Sequence, residues 1–579
     1  MNKKISQYLI EIINKFNSNL SKEQYYKLIQ DQKNINTNIY KYIPNFMSNF
    51  NIIENEKYWK QIFSTWLHFF IPFFLHRKLL FDNLSKEQIK ELSFYQKLRI
   101  DNISDLSSFM YGTNDISINY NLLNNIHYFY SRSRRIDNFK IYDNFEIQNK
   151  IFENQNNILI KNNLLKLLKK YLKGFIISII YKIYLLIIPK NYILFTYPDR
   201  FDFRSKIKIL LKTKFRVLFE LKTRKNKVKP SIFNIKLREK LFNYLYNQNK
   251  FDKTFLYIFC LSIPVSLLEN FSKYYYHKSN QFFFKKKPKI VFSSGSHVSY
   301  EINMCMLAKL YSKQTNINII QHGNLYNIID KEYHSGIDLE FEYSKLITWG
   351  WSNDSFEIPM SSPRLFTFIS KVNQIRDNNI KRILFVSQPV KKYDAIRSFH
   401  YLPRLNYKAN NNRIKLYNNL PKNLKDKFFF RNYPYENYKG CLNNFEVSQE
   451  LLNVKFDTYS KYESIKNSSI IIIDSLSTMI LEILNLNKPF FLLFDYDDYF
   501  INKRHHNFFK LLIKTKILHA NYTTLISLIE KVNLNNFNEF YYSKERRIAL
   551  RYLRMFFARI SYSHDDKWSK YLNKLLDTK

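Results

Sequence analysis

Two hydrophobic patterns divide the chain. Up to about residue 190, apolar positions recur at helical spacing, and two stretches stand out, YWKQIFSTWLHFFIPFFLHRKLL at 58–80 and NNLLKLLKKYLKGFIISIIYKIYLLII at 162–188. A bilayer span needs about twenty uninterrupted apolar residues. Neither stretch supplies them: Lys60, His68, Pro72 and His76 punctuate the first, and Lys182 sits inside the second. Buried helices are expected for both. The second, led by Lys166, Lys169, Lys170 and Lys173, also suits a helix lying on a bilayer surface.

From residue 288 the pattern changes to short β-rich runs alternating with helices. PKIVFSS (288–294), NINIIQHG (316–323), SKLITWG (344–350), KRILFVSQ (381–388), KDKFFFRNYP (425–434), SSIIIID (468–474) and KPFFLLFD (488–495) read as strands. HVSYEINMCMLAKLYSK (297–313) and STMILEILNLN (477–487) read as helices between them. Strands that are continuously apolar, and separated by helices, predict an α/β fold with parallel sheets covered on both faces. Residues 351–380, with two prolines and a polar end, read as the connection between two such sheets. The chain closes on helices, RRIALRYLRMFFARISYS and KWSKYLNKLL.

Length and composition narrow the class. At 579 residues the chain exceeds what one core serves, and fits two domains with an appended helical region. Its 45% hydrophobic and 24% charged residues exclude wholesale disorder. The formal net charge of +43 points to phosphates or lipid head groups. The basic residues are dispersed, apart from runs such as KTRKNKVK at 222–229 and KKKPK at 285–289, so nucleic-acid binding is the weaker alternative. Three cysteines without CxxC spacing argue for a reducing compartment and against structural zinc. Gln7 and Glu11 interrupt the apolar run a secretory signal requires, so a cytoplasmic location is expected.

Candidate chemistry clusters where glycine persists. Four of the seven glycines, Gly295, Gly323, Gly336 and Gly350, lie within residues 295–350, which marks that window for a site needing close backbone approach. There SSGSH (293–297) and QHGN (321–324) each follow a strand, and ligands of α/β domains bind at the carboxyl ends of strands. Ser294, Gly295, His297, Gln321, Gly323 and Asn324 are candidates to line a cleft, and His322 is a candidate general base. A strand-end histidine that only hydrogen-bonds its loop is the alternative. In IIIIDSLSTMILEILNLNKPFFLLFD (470–495) a buried strand stops at Asp474 and a helix begins near Ser477. Its first amides, with Ser475, Ser477 and Thr478, form an anion site suited to a diphosphate, or a plain helix cap. DYDD at 495–498 suits either a divalent metal or an acidic loop leading into a helix, the commoner case. P-loop, GxSxG, HExxH and GxGxxG patterns are absent, against P-loop phosphoryl transfer, α/β-hydrolase chemistry and dinucleotide dehydrogenation.

IPVSLLENF, PKIVFSSGSH, INIIQHGNLYN, KLITWGW, FFFRNYP, IIIIDSLSTMILEILNLNKPFF and the terminal HDDKW together resemble transferases of O-antigen and other surface-polysaccharide gene clusters. YWKQIFSTWLHFF resembles that family's Tyr-Trp segment, so the likeness runs from about residue 40 to the end. The Asp-x-x-Ser-Thr turn also resembles glycerophosphotransferases and capsule transferases. Gln321, His322 and Gly323 match the family's Gln-His-Gly, with Asn324 where glycine is usual. Asp474, Ser477, Thr478 and Glu482 match its C-terminal motif, and Arg431 its basic residue after a strand.

The resemblance implies a GT-B-like fold: two Rossmann-like domains facing a cleft, with N-terminal helices embellishing the first and a C-terminal helix crossing back. The expected divisions are 1–365 for the acceptor side, 366–545 for the donor side, and 546–579 for the returning helices. It further implies transfer of a sugar from a nucleotide-activated donor to a glycan or lipid-linked acceptor, as in lipopolysaccharide or capsule synthesis, at the inner face of the cytoplasmic membrane. His322 would take the acceptor proton. Arg431 and the helix near Ser477 would hold the departing diphosphate, and Glu482 would reach a ribose or sugar hydroxyl. On this reading there is no cofactor and no bound cation, contact with the membrane is peripheral, and no nucleic acid is bound. Transfer of a polyol phosphate from a CDP-linked donor is the alternative within the same fold.

Overall fold

Runs of β-branched and aromatic residues build the frame. The structure is a computed structural model that describes residues 3–50, 52–95, 98–103, 115–132, 145–150, 188–196, 201–219, 233–276, 287–294, 301–323, 326–330, 345–376, 382–387, 402–432, 449, 451, 453–531 and 541–578. Strands β1 (Leu98–Ile103) and β2 (Phe145–Lys150) pair in parallel in a small sheet. β3 (Ile193–Thr196), β4 (Val217–Phe219), β5 (Ile290–Ser293), β6 (Asn316–Ile320), β7 (Lys345–Thr348) and β8 (Glu357–Pro359) form a six-stranded sheet in the order β4-β3-β5-β6-β7-β8. β9 (Ile383–Val386), β10 (Phe428–Arg431), β11 (Lys455–Phe456), β12 (Ile470–Ile473), β13 (Phe490–Leu493) and β14 (Leu518–His519) form another, in the order β11-β10-β9-β12-β13-β14.

Every pairing in both large sheets is parallel. The four isoleucines of β12 show why: the strand lies between β9 and β13, buried on both faces, so each side chain meets apolar neighbours. Strand order reverses between β3 and β5 in the first sheet and between β9 and β12 in the second. At such a point the connections leave in opposite directions and open a crevice at the carboxyl ends.

All seven expected strands are present, trimmed at their ends. The first sheet, however, begins at Ile193 rather than at residue 288. ILFT follows closely on the apolar stretch ending at Ile188 and VLF has only three residues, so neither stands out as a separate run and β3 and β4 escape a sequence reading. The segment 351–380 is more than a connection, because it holds β8 at the sheet edge and the helix Pro363–Asn373.

The apolar stretch at 58–80 is a buried helix, Glu56–Asp82, with Asn55 accepting from the Tyr58 amide at its start. Trp59, Trp66, Phe70 and Phe74 are buried along it. No helix among the described residues is long and apolar enough to cross a membrane. The stretch at 162–188, apart from Ile188, lies outside the described residues.

The two ends of the chain each reach the opposite unit. Helix Lys3–Asn19 packs on helix Arg404–Asn419, and Tyr25 stacks on Phe500 with ring centroids 5.1 Å apart, so the N-terminal helices bridge to the second unit as well as embellishing the first. Helix His564–Asp577 crosses back onto helix Phe203–Lys212. Its Trp568 is buried among Phe195, Phe201 and Phe292, and the indole N–H donates to the Ser361 carbonyl at 3.1 Å. Lys208–Asp565 (3.1 Å), Lys212–Asp566 and Arg216–Asp577 (2.9 Å) line the contact. Two Rossmann-like units joined by a returning C-terminal helix constitute a GT-B-like fold. The units also share backbone bonds: Asp330 donates to Phe500 and Asn502 to Ile328, each at 2.9 Å, around the bridge Ile329–Ile501.

Candidate functional site

β6 delivers the Gln-His-Gly turn. Gln321 is buried and uses both ends of its amide: Nε2 donates to the Gly323 carbonyl at 2.6 Å, and Oε1 accepts from the Trp349 amide at 2.8 Å and the Trp351 indole at 3.0 Å. Expected to line the cleft, Gln321 instead ties the turn to the end of β7. His322, half-buried, bonds through Nδ1 to the phenol of Tyr326, and the rings meet edge to face at 5.3 Å. When Nδ1–H donates to the phenol oxygen, Nε2 carries the basic lone pair.

The second constellation meets the first here. A Cβ added to Gly323 would lie 3.7 Å from the Thr478 hydroxyl oxygen, an ordinary contact distance, so the turn lies beside the start of helix Thr478–Leu484. Arg364, in the first turn of helix Pro363–Asn373, donates to the His322 carbonyl at 2.9 Å and lies 3.5 Å from a Glu482 oxygen. The other Glu482 oxygen is 2.5 Å from Lys461. Glu482 is buried between these two cations, an anchor where a hydroxyl ligand was expected. Burial pushes the Lys461 pKa down, the Glu482 carboxylate opposes that, and Arg364 and Arg431 reinforce it.

Arg431, at the end of β10, is held by Asp457 at 2.6 Å, the Tyr459 carbonyl at 2.9 Å and the Ser464 hydroxyl at 3.1 Å. Arg382 shares Asp457 at 3.4 Å. Arg364, Arg382, Arg431 and Lys461 thus face two carboxylates, Glu482 and Asp457, and the surplus positive charge suits phosphate.

Asp474 ends β12 with its carboxylate turned to Arg413, both side chains buried. Ser475 is buried, and the Ser477 amide donates to its carbonyl at 2.8 Å. Ser477 occupies the N-cap of a two-turn helix without making a side-chain capping bond. Ser294 is buried just past β5, and its hydroxyl has no hydrogen-bond partner among the described residues. Gly295, His297 and Asn324 lie outside the described residues.

Two other features belong to packing. Gly350 has φ of 115°, and a Cβ there would meet the Arg559 Cβ at 2.6 Å, so this glycine admits the segment leading into the C-terminal helix. In DYDD, Asp498 is held by Arg404 at 2.6 Å and Lys408 at 2.7 Å, and Asp495 by Lys408 at 3.0 Å. The turn is an acidic loop bound to helix Arg404–Asn419. Among the described residues no group of three His, Cys, Asp or Glu is placed to hold a metal.

Tyr326, Arg364 and Lys461 are absent from the sequence reading. Tyr326 carried a faint signal, four residues after His322. Arg364 and Lys461 carried none, because their partners lie far along the chain.

Solved structures with a loose likeness include a wall teichoic acid polymerase, TagF, soaked with CDPG, at 11% identity and a TM-score of 0.34, covering 72% of this chain and 98% of that one. MnaA from S. aureus with UDP gives 12% and 0.37, covering 67% and 98%. UDP-N-acetylglucosamine 2-epimerase from Rickettsia bellii gives 15% and 0.33, covering 66% and 98%. No curated protein matches the chain. A family model does match, over residues 11–572, and so takes in most of the first forty residues. The chain belongs to the LIC12162 family of transferases.

Proposed function

We propose that this transferase moves a sugar from a nucleotide-activated donor to a hydroxyl of a surface-polysaccharide acceptor, O-antigen, capsule or a similar glycan. The observation that carries the reading is the meeting of the two constellations, with Gly323 against Thr478 and Arg364 joining the His322 carbonyl to Glu482. His322 Nε2 takes the acceptor proton as the glycosidic bond forms. Tyr326, accepting from Nδ1–H, stabilises the imidazolium that results. The departing diphosphate is met by Arg431 and Lys461 and by the Ser477 and Thr478 hydroxyls, positioned before charge develops. The acceptor reaches the site on a lipid carrier at the inner face of the cytoplasmic membrane.

The test is a panel of nucleotide sugars and CDP-polyols screened for protection against thermal unfolding, followed by turnover with the protecting donor. His322→Ala is expected to lower turnover by about 10² to 10⁴ while donor protection persists. Protection by no nucleotide, or full turnover in that variant, would overturn the reading. Release of CMP from a CDP-polyol would assign polyol-phosphate transfer instead.

A further inference from the structure

Helix Phe203–Lys212 buries Ser205 and Ile209 and packs against the C-terminal helix. Its opposite side is unusual. Phe203, Ile207 and Leu211 are exposed at 78%, 42% and 59%. At i, i+4 and i+8 they stack into one apolar stripe along the helix. Phe215, half exposed, extends the apolar surface past the helix end. There Lys214 and Phe215 adopt left-handed backbone with φ of 51° and 57°, a conformation costly for residues with a Cβ.

The stripe has a charged border. Arg204, Lys208, Lys212 and Lys214 are all exposed, although Lys208 and Lys212 also pair with Asp565 and Asp566. An apolar strip bordered by cations, on a chain of net charge +43, matches acyl chains beneath anionic head groups. A second copy of the chain would cover the apolar side chains, but would bring its own cations against these. The helix also follows β3, so the stripe begins near the carboxyl edge of the sheet that carries Ser294 and His322.

We infer that the Phe203, Ile207, Leu211 and Phe215 surface docks the protein on an anionic bilayer. The use of such docking, presenting a lipid-linked acceptor to the site, rests on the proposed transfer reaction. The docking itself does not.

The experiment is co-sedimentation of the full chain with vesicles of mixed phosphatidylglycerol and phosphatidylcholine, and with phosphatidylcholine alone. Binding is expected to the mixed vesicles only, and to weaken with salt. The Phe203→Ser, Leu211→Ser double variant should bind at least about tenfold more weakly, with melting temperature and turnover on a water-soluble acceptor unchanged. Should that variant misfold, Arg204→Glu with Lys214→Glu, both at exposed positions, must weaken vesicle binding likewise. Binding undiminished in the variants that fold would overturn the inference. So would a wild-type dimer that the serine variant splits in sedimentation velocity while the wild type ignores vesicles. A protein that binds vesicles through this stripe yet transfers no sugar overturns only the proposed reaction.

Discussion

The phenol of Tyr326 bonds Nδ1 of His322, and in the proposed reaction the imidazole would divide its work between its two nitrogens. Removing the phenol oxygen while keeping the ring leaves the packing in place but takes away the acceptor that, in the proposed reaction, would stabilise the protonated base. Tyr326→Phe is expected to lower kcat by about tenfold to a hundredfold, the effect of one hydrogen bond to a charged group, with KM nearly unchanged. The acidic limb of its pH–rate profile should move to lower pH, because the imidazolium has lost a stabilising partner. A profile that stays in place would make Tyr326 a packing residue only. His322, Ser477 and Thr478 could be singled out as candidates in the sequence because each follows a strand legible from its apolar residues, and ligands of α/β folds bind at strand ends. Arg364 and Lys461 were illegible for the opposite reason. Each stands early in an amphipathic helix like any surface cation, and acquires meaning only when Glu482 of another helix is folded against it.

Elements were read most securely where their hydrophobic pattern was long or stood apart from its flanks. The helix Glu56–Asp82 is the example for length, and β12, only four residues long, stood out because all four are isoleucine. By contrast, β3 is equally short and follows closely on the long apolar stretch ending at Ile188, and β4 is shorter still. Likeness to a family can also mark packing rather than chemistry. Within IPVSLLENF, Glu269 is bound bidentately by Arg238, at 2.7 and 2.9 Å, both side chains buried. The same guanidinium donates to the carbonyls of Cys260, Leu261 and Ile263, closing the end of helix Lys253–Ser262. Glu269→Gln leaves that cation buried without its counter-charge, a loss of about 3–5 kcal/mol in comparable buried pairs. Urea unfolding should show the loss as an earlier midpoint, while donor affinity in the folded protein stays as it was. An unchanged midpoint would mean that the carbonyls alone satisfy Arg238.

Acid should weaken the assembled protein through histidines held neutral. Burial pushes His505 and His519 down from 6.5 to about 4, and His519 spends both ring nitrogens on Thr524 and the Lys516 carbonyl. The unfolded chain binds these protons near pH 6.5, whereas the fold resists them until about 4, so their contribution is full above 6.5 and declines as pH falls between the two values. Melting temperature is expected to drop across that window, and to drop less in a His505→Gln, His519→Gln variant. An equal drop in both proteins would place the acid sensitivity elsewhere. The crossing of the chain's ends has a consequence of another kind, for synthesis. The first Rossmann-like unit leaves the ribosome with β8 at residue 359, yet the aromatic socket of Phe195, Phe201 and Phe292 waits for Trp568. That unit therefore stays unfinished, with apolar surface uncovered, until residue 568 has been made, because the helix His564–Asp577 is the one that seals the first sheet.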